Sequence, residues 1–398
     1  MIPLIKKILL IALVAVLVAG ALVGAWLYAR SKVADEYYVR DKSEFDIAGA
    51  PVTIRVDGDA AAASATGGSF SGTARLFGFI PLKSVRLTTV PEKTAIIGGE
   101  AFGLKMYTNG LIVVGLSDIP TASGSACPAR DAGVEKGDLL KTVNGVRLTK
   151  NSDVASLINA AGGAEATFTL ERDGENVTVK LTPALSTEDG KYKTGMWVRD
   201  SAAGIGTISF YEPDTGLFVG LGHGIYDSDT EDLMPAAGGS IVKTTITGVK
   251  KGEKGSPGEL YGFFDQDTVI GELHGNTSLG VYGKLSAAVN GETAPIALKQ
   301  EIEVGDAKLI TPAINGGKAE YDVRITSIVN DDKGSGRNMI IKITDPELLE
   351  LTGGIVQGMS GSPIIQNGKI VGAVTHVLIN DPTAGYAVFA EKMYDLIR

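Results

Sequence analysis

Hydrophobic positions change their spacing along the chain, and each spacing predicts a different kind of element. Residues 8–29 form one uncharged run with no polar face, with Lys6 and Lys7 ahead of it and Arg30 behind. A helix of about 20 apolar residues crosses a bilayer. The apolar core of a cleaved signal peptide is shorter, about 7–15 residues, and a buried soluble helix would carry a polar stripe. Residues 1–30 therefore read as a retained transmembrane signal-anchor. Basic residues flank both ends, so charge alone does not orient it. With only seven residues before the run, the short end is expected in the cytoplasm and everything after Ser31 outside.

After the anchor, apolar and polar residues alternate in short stretches. Residues 52–56 have the period of a strand, residues 57–72 are rich in Ala, Gly and Ser and read as a flexible loop, and residues 76–90 carry further β-like runs. Residues 31–98 are thus a β-rich connecting region with no assigned chemistry. Residues 99–184 are more patterned. Ala132-Gly133 suits a short close-packed helix, Gly137-Asp138 a turn, and Asn144-Gly145 a tight hairpin. Asn151 or Ser152 can cap a helix carrying Val154, Leu157 and Ile158, and residues 168–170 and 177–181 alternate around Asp173-Gly174 as a second hairpin. The run from Pro128 through Gly137-Asp138 to Asn144-Gly145 resembles the signature of a PDZ domain. That resemblance implies that Phe102, Gly103 and Leu104 form the loop that captures a peptide's C-terminal carboxylate on backbone N–H groups. Residues 105–107 would then be a strand open to an added peptide strand.

From residue 185 to 398 short strands alternate with glycine turns. Strands are predicted over 204–210, 239–246, 269–273, 279–285, 321–328, 339–343, 363–366, 369–375 and 386–390, with Asn367-Gly368 as a hairpin turn and a short final helix from Glu391. Many short strands at even spacing, without helices between them, suit a double β-barrel. The expected fold class is mostly β: an N-terminal transmembrane helix, a PDZ domain over 99–184, and a chymotrypsin-like double β-barrel over 185–398. Composition agrees. The 398 residues suffice for two or three cores, and 52 glycines with few aromatics favour strands and turns. A formal net charge of −9 without a basic cluster argues against nucleic acid as a partner. Cys127 is the only cysteine, so no intramolecular disulfide forms, which leaves the compartment open.

The candidate chemistry lies in two glycine-rich loops. Gly358-Met359-Ser360-Gly361-Ser362-Pro363 sets a serine among glycines just before a strand, as a two-barrel serine peptidase presents its nucleophile. The resemblance to that fold implies that backbone N–H groups of Gly358 and Ser360 make the oxyanion hole, which side chains would crowd. Ser362 is the rival, but it abuts Pro363 and the strand. His223, in Leu221-Gly222-His223-Gly224, precedes Ser360 in a separate half of the β region and is the candidate general base. His274, after a strand and before Gly275-Asn276, reads as surface. His376 ends the strand after the nucleophile hairpin; the resemblance to a two-barrel serine peptidase implies that this strand lines the substrate pocket, where His376 could donate to a polar or acidic side chain, and Asn380 or Asp381 could equally satisfy it. The orienting acid is less determined. Asp345 heads Asp345-Pro346, an N-cap followed by proline at the first helical position, whereas Asp265 and Asp267 lie 42 and 44 residues after His223, nearer the spacing that chymotrypsin-like folds use. An α/β-hydrolase is excluded, since its elbow needs glycine where Ser362 stands and its histidine follows serine and acid. No HExxH, CxxC or P-loop pattern calls for a metal or nucleotide, so no cofactor is expected.

Anchor, PDZ signature and peptidase motifs together resemble the stage IV sporulation protein B family of PDZ-containing serine peptidases. The residues that carry the likeness are Leu221-Gly-His-Gly-Ile225 with Asp227, Asp229 and Thr230, the stretch from Thr352-Gly-Gly-Ile-Val-Gln-Gly-Met-Ser-Gly-Ser-Pro to Ile364, and Gly372-Ala-Val-Thr-His-Val377. The N-terminal region matches least. The resemblance implies a triad at His223, Asp345 and Ser360. It also implies export from the forespore into the intermembrane space, self-processing near the N-terminus, and cleavage of a membrane-protein partner in a protease-activating complex that leads to late sigma-factor activation. Two other readings stand beside it: a protein-quality protease of the HtrA type, and a PDZ adaptor whose peptidase fold is inactive.

Overall fold

The computed structural model describes residues 4–40, 44–47, 50–57, 69–314, 316–329 and 336–397. The expected loop at 57–72 falls mostly outside them, although its last residues already belong to a strand, Ser69–Leu76. Helix α1 (Leu4–Ser31) exposes its apolar side chains all round, and 28 residues at about 1.5 Å each give about 42 Å. It is long and apolar enough to cross a membrane. Its last turn rests on a small five-stranded sheet, where Trp26 donates its indole N–H to Pro81 O at 3.1 Å. That sheet comprises Glu36–Val39, Ile80–Thr89, Ser69–Leu76, Val52–Val56 and Glu44–Asp46, in this order across it. It packs Tyr37, Ile54, Val85 and Leu87 into its own core. Arg40 fastens it to the rest of the chain through Glu301 at 3.0 Å and Ile296 O at 2.6 Å.

The main body is two closed six-stranded barrels. The first contains β1 (Ala101–Leu116), β2 (Met196–Tyr211), β3 (Leu217–Gly220), β4 (Ala236–Lys250), β5 (Glu259–Thr277) and β6 (Gly280–Leu285). Around the barrel they run β1-β4-β5-β6-β3-β2, and pairing of β2 with β1 closes the ring. The second contains β7 (Gly305–Pro312), β8 (Lys318–Ile328), β9 (Met339–Ile343), β10 (Pro363–Gln366), β11 (Lys369–Leu378) and β12 (Asp381–Phe389), closed by β7 against β10. Each fills with the inward half of its alternating residues: Phe102, Leu104, Met106, Phe218 and Ile241 in the first, and Leu309, Val323, Ile325, Ile341 and Val374 in the second. A short helix, Ala390–Tyr394, seals the base, with Tyr394 stacked on Phe210 at 6.2 Å.

The PDZ-like module is not a domain placed ahead of the barrels. It is inserted into the hairpin between β1 and β2. Each of these strands has 16 residues. Their barrel halves pair from Ala101↔Thr207 to Tyr107↔Ser201, and their outer halves go on pairing from Ile112↔Arg199 to Leu116↔Met196. The module hangs on that outer ribbon. Leu139–Val143 pairs with Leu111 and Ile112, Ala166–Arg172 and Glu175–Leu181 follow, and helix α2 (Asn151–Ala160) covers a core of Val113, Leu140, Val154, Ile158 and Phe168. The expected hairpin at Asn144-Gly145 is present, with φ of 51° and 78°. Asp138 of the expected turn is buried and bonded twice by Arg172, at 2.6 and 2.7 Å.

This insertion corrects two expectations. The boundary of 99–184 does not describe a separable unit, because residues 101–108 are a barrel strand. Nor are Phe102, Gly103 and Leu104 a carboxylate-binding loop. Phe102 and Leu104 are buried in the first barrel, Phe102 edge-on to Phe218 at 5.9 Å, and a Cβ on Gly103 would meet the Phe264 ring. Strand pairing on both sides consumes the backbone donors that such a loop would need free. The groove of the module lies elsewhere, between Val154, Ala155 and Ile158 of α2 and Met196, Trp197 and Val198 of β2, with a volume of about 470 Å³.

Replacing residues 109–199 by Asn-Gly should therefore leave both barrels folded, with a cooperative thermal transition by circular dichroism. Deleting 99–184 removes a barrel strand and should abolish that transition. A cooperative transition in the second variant would refute the insertion.

Candidate active site

A cleft of about 730 Å³ opens between the barrels, with His223, Gly358, Ser360 and His376 on its walls and residues 202–206 of β2 along one side. The nucleophile loop enters it from helix α3 (Pro346–Thr352) and leaves into β10. The first barrel holds this loop. Thr207 Oγ1 donates to Gly358 O at 2.7 Å, Thr207 N–H donates to Ser360 O at 3.0 Å, and Ser209 Oγ donates to Gly361 O at 2.7 Å. Gly361 has φ of 97°, and a Cβ there would lie 2.0 Å from Thr207 O, so the close approach of loop to strand admits only glycine.

Two further bonds aim the oxyanion donors. A trans peptide points its N–H opposite to its carbonyl. The Gln357 carbonyl accepts from Leu260 N–H at 2.8 Å, and the Met359 carbonyl accepts from Ser362 N–H at 2.9 Å. The N–H groups of Gly358 and Ser360 are thereby turned the other way, and neither donates to an acceptor among the described residues. Between them Met359 N–H is taken up by Val356 O at 3.1 Å. Two free donors, one residue apart, on either side of a committed one suit a developing oxyanion. Ser362, the rival serine, is fully buried and bonds Thr311 at 3.0 Å.

His223 follows β3 after two residues in the left-handed region, Leu221 at φ 66° and Gly222 at φ 67°. That double turn carries the ring from the barrel wall into the cleft. Its Nδ1 lies 2.8 Å from Gly224 O. A carbonyl only accepts, so Nδ1 carries the proton and Nε2 presents a lone pair, the tautomer a general base needs. Burial lowers the His223 pKa below the ordinary value, against the smaller opposing pull of that carbonyl. The ring faces His376 at a centroid separation of 4.8 Å. The Ser360 hydroxyl is turned away from both, donating to Thr375 O at 2.8 Å. Proton transfer to His223 requires the hydroxyl to give up that bond to Thr375 O.

His376 is on the cleft wall, at a bulge of β11, and Asn380 and Asp381 do not satisfy it. Its Nδ1 is buried without a partner among the described residues. Burial, with help from His223 and Arg337, pushes its pKa down to about 4. Asp345 is not brought to the cleft. It is the N-cap of α3, one oxygen accepting from Glu347 N–H at 2.9 Å and Leu348 N–H at 3.2 Å, the other from Asp322 N–H at 3.2 Å. The capping signal in Asp345-Pro346 thus describes this carboxylate, and its place in a triad has no counterpart in the geometry. Asp265 is exposed on β5 and bonds Thr268 at 2.6 Å, and the side chain of Asp267 lies outside the described residues. His274 is exposed on β5. Thr207 and Ser209 were missed by sequence reasoning. Their only trace is a hydroxyl at alternate positions of a strand, which places both on one face.

Two outcomes follow. The unfolded chain takes up a proton on His376 near pH 6.5, the buried ring only near pH 4. Between these values the unfolded state binds more protons, so stability is intact above pH 6.5 and falls as pH drops toward 4. His376→Phe should flatten this acid limb in melting temperature against pH; parallel curves would refute a neutral buried ring. Asp345→Asn should keep both cap and activity. A loss of about 10⁴-fold in kcat at unchanged melting temperature would instead return the carboxylate to a triad.

Comparison with known proteins bears on the whole assembly. Residues 190–394 match the SpoIVB peptidase S55 family, a span that includes His223, Ser360 and His376. Among curated proteins, the putative zinc metalloprotease LL2128 of Lactococcus lactis is 28% identical over 135 residues, 33% of this chain and 29% of that one. The putative zinc metalloprotease mll0638 of Mesorhizobium japonicum is 40% identical over 58 residues, 15% and 16% of the two chains. The chain thus spans less than a third of the length of these relatives. Among the described residues here, no three His, Cys, Asp or Glu converge as metal ligands would. Among solved structures, the inactive form of the Rv3671c protease of M. tuberculosis H37Rv is similar at 14% identity and a TM-score of 0.25, covering 48% of this chain and 81% of that one. The HtrA-type protease AlgW with a decapeptide gives 13%, 0.28, 60% and 65%. The PDZ domain of an SdrC-like protein of Listeria monocytogenes gives 15%, 0.18, 23% and 87%. At such TM-scores the likeness in shape is slight. The family match covers more than half of the chain and contains both glycine loops of the cleft, so this protein belongs to the SpoIVB peptidase S55 family.

Proposed function

We propose that this chain is a membrane-tethered endopeptidase that processes itself and then cleaves a membrane-protein partner in the sporulation signalling that leads to late sigma-factor activation. The observation that carries the reading is the single cleft holding Ser360, a correctly protonated His223 and two unpaired backbone donors. The Ser360 Oγ attacks the scissile carbonyl while His223 Nε2 accepts its proton, and the developing oxyanion takes the N–H groups of Gly358 and Ser360. The imidazolium then protonates the leaving amine, and Gly224 O accepts from its Nδ1–H throughout. Water repeats the sequence on the acyl-enzyme, and Ser360 is restored. One such oxyanion donor is worth about 10²–10³ in kcat.

Attachment supports the finer parts of the reading. An apolar, exposed α1 followed by a sheet fastened to the catalytic body keeps the cleft near the bilayer. In this reading the short N-terminal end is cytoplasmic, the catalytic body occupies the intermembrane space, and a peptide or C-terminus is received in the groove between α2 and β2. His376 forms part of the wall that meets the substrate.

The test is self-cleavage of the purified full chain in detergent beside its Ser360→Ala and His223→Ala variants. The wild type should shorten near its N-terminus and both variants should remain intact, since the two residues act as a unit. An uncleaved wild type would favour an adaptor whose peptidase fold is silent.

A further inference from the structure

We propose that Arg199 and Asp227 are positioning residues for the base: the guanidinium, carried on the strand that joins the inserted module to the first barrel, fixes the loop that presents His223. Residues 221–235 connect β3 to β4, and the loop is closed at two levels. At its neck, Asn276 of β5 accepts from Ile225 N–H at 2.9 Å and donates to Ile225 O at 2.8 Å and Met234 O at 3.0 Å. At its tip, the Asp227 side chain is wholly buried, with one oxygen accepting from Asp229 N–H and Thr230 N–H, each at 2.9 Å. Its other oxygen accepts from Arg199, whose second terminal nitrogen donates to Asp229 at 2.7 Å. A buried carboxylate needs such compensation. Asp227 does not line the cleft, so any effect it has on catalysis acts through the loop, four residues downstream of His223.

The position of Arg199 gives the clamp its consequence. Arg199 pairs with Ile112 where the ribbon leaves the barrel. Its neighbour Val198 lines the groove under α2, and its other neighbour, Asp200, accepts the N–H of Asn151, the first residue of α2, at 2.9 Å. Three consecutive residues thus join the groove, the base loop and the module's helix. The nucleophile loop is held separately by Thr207 and Ser209 further along the same strand. A displacement of the module therefore bears first on the base and leaves the oxyanion donors in place.

The test uses the full chain in detergent and a fluorophosphonate probe. The probe forms an Oγ–P bond to the base-activated serine, loses fluoride and passes the serine proton to His223, so no substrate need be known. Arg199→Met and Asp227→Asn should lower the maximal labelling rate by about 10–100-fold, as a small misplacement of a catalytic group does, with the half-saturating probe concentration unchanged. Arg199→Lys should fall between them and wild type, because one ammonium does not replace a bidentate fork. The double variant Arg199→Met/Asp227→Leu removes both charges, so its melting temperature should return toward wild type while labelling stays slow. A double variant that regains labelling together with stability would reduce the pair to a structural role. If the wild type itself resists the probe, NMR decides, with three imidazoles to resolve. The His223 titration, held low by burial and facing His376 with Arg337 beyond, should rise toward the ordinary value in the single and double variants. An unchanged titration would overturn the proposal.

Discussion

Strand β2 is the member on which the rest of the catalytic body depends. Its outer residues carry the inserted module, Arg199 clamps the base loop, and Thr207 and Ser209 hold three carbonyls of the nucleophile loop. Its barrel half also closes the first barrel against β1. Its pairing with β1 is interrupted between Arg199 and Ser201, so the outer ribbon and the barrel half are two paired lengths of one strand. The two halves of the site are both referred to that strand, the base loop at Arg199 and the nucleophile loop at Thr207 and Ser209.

The electrostatics of the cleft are those of neutral groups. Burial disfavours the charged form of both facing imidazoles, and the ring of His223 is oriented by a carbonyl of its own loop. A carbonyl fixes the tautomer as well as a carboxylate does. It supplies only a dipole to the imidazolium that forms during reaction, where an ion would supply a full charge. With the Ser360 hydroxyl on Thr375 O, the arrangement is that of a site with its donors aimed and its nucleophile at rest.

Much of this was legible in the chain. Residues 339–343 and 363–366 form strands with the expected bounds, and the Asn-Gly and Asp-Gly pairs turn where left-handed backbone is required. The glycines beside Ser360 and the histidine after β3 were identifiable because close backbone approach and positive φ leave few residue types to choose from. The apolar run of α1 was as plain, since length and the absence of charge decide it. Other strands came out longer than their alternation suggested. The span Gly204–Phe210 grew into a 16-residue strand because β2 pairs with β1 again beyond a break at Asp200, from Arg199↔Ile112 to Met196↔Leu116.

What the sequence determined by itself was local: the elements, the turns, the two glycine loops, and the helix cap at Asp345 that competed with its catalytic reading. What only the tertiary structure decided was which elements share a strand partner. Phe102-Gly103-Leu104 suits a carboxylate loop as well as a barrel strand, and the choice fell to the burial of Phe102 against Phe218, a contact between residues more than a hundred positions apart. Whether Asp345 faces His223, whether Thr207 reaches Gly358, and whether Arg199 meets Asp227 are questions of the same kind. Each depends on how two barrels and an insertion pack in space, and no periodicity along the chain encodes that distance.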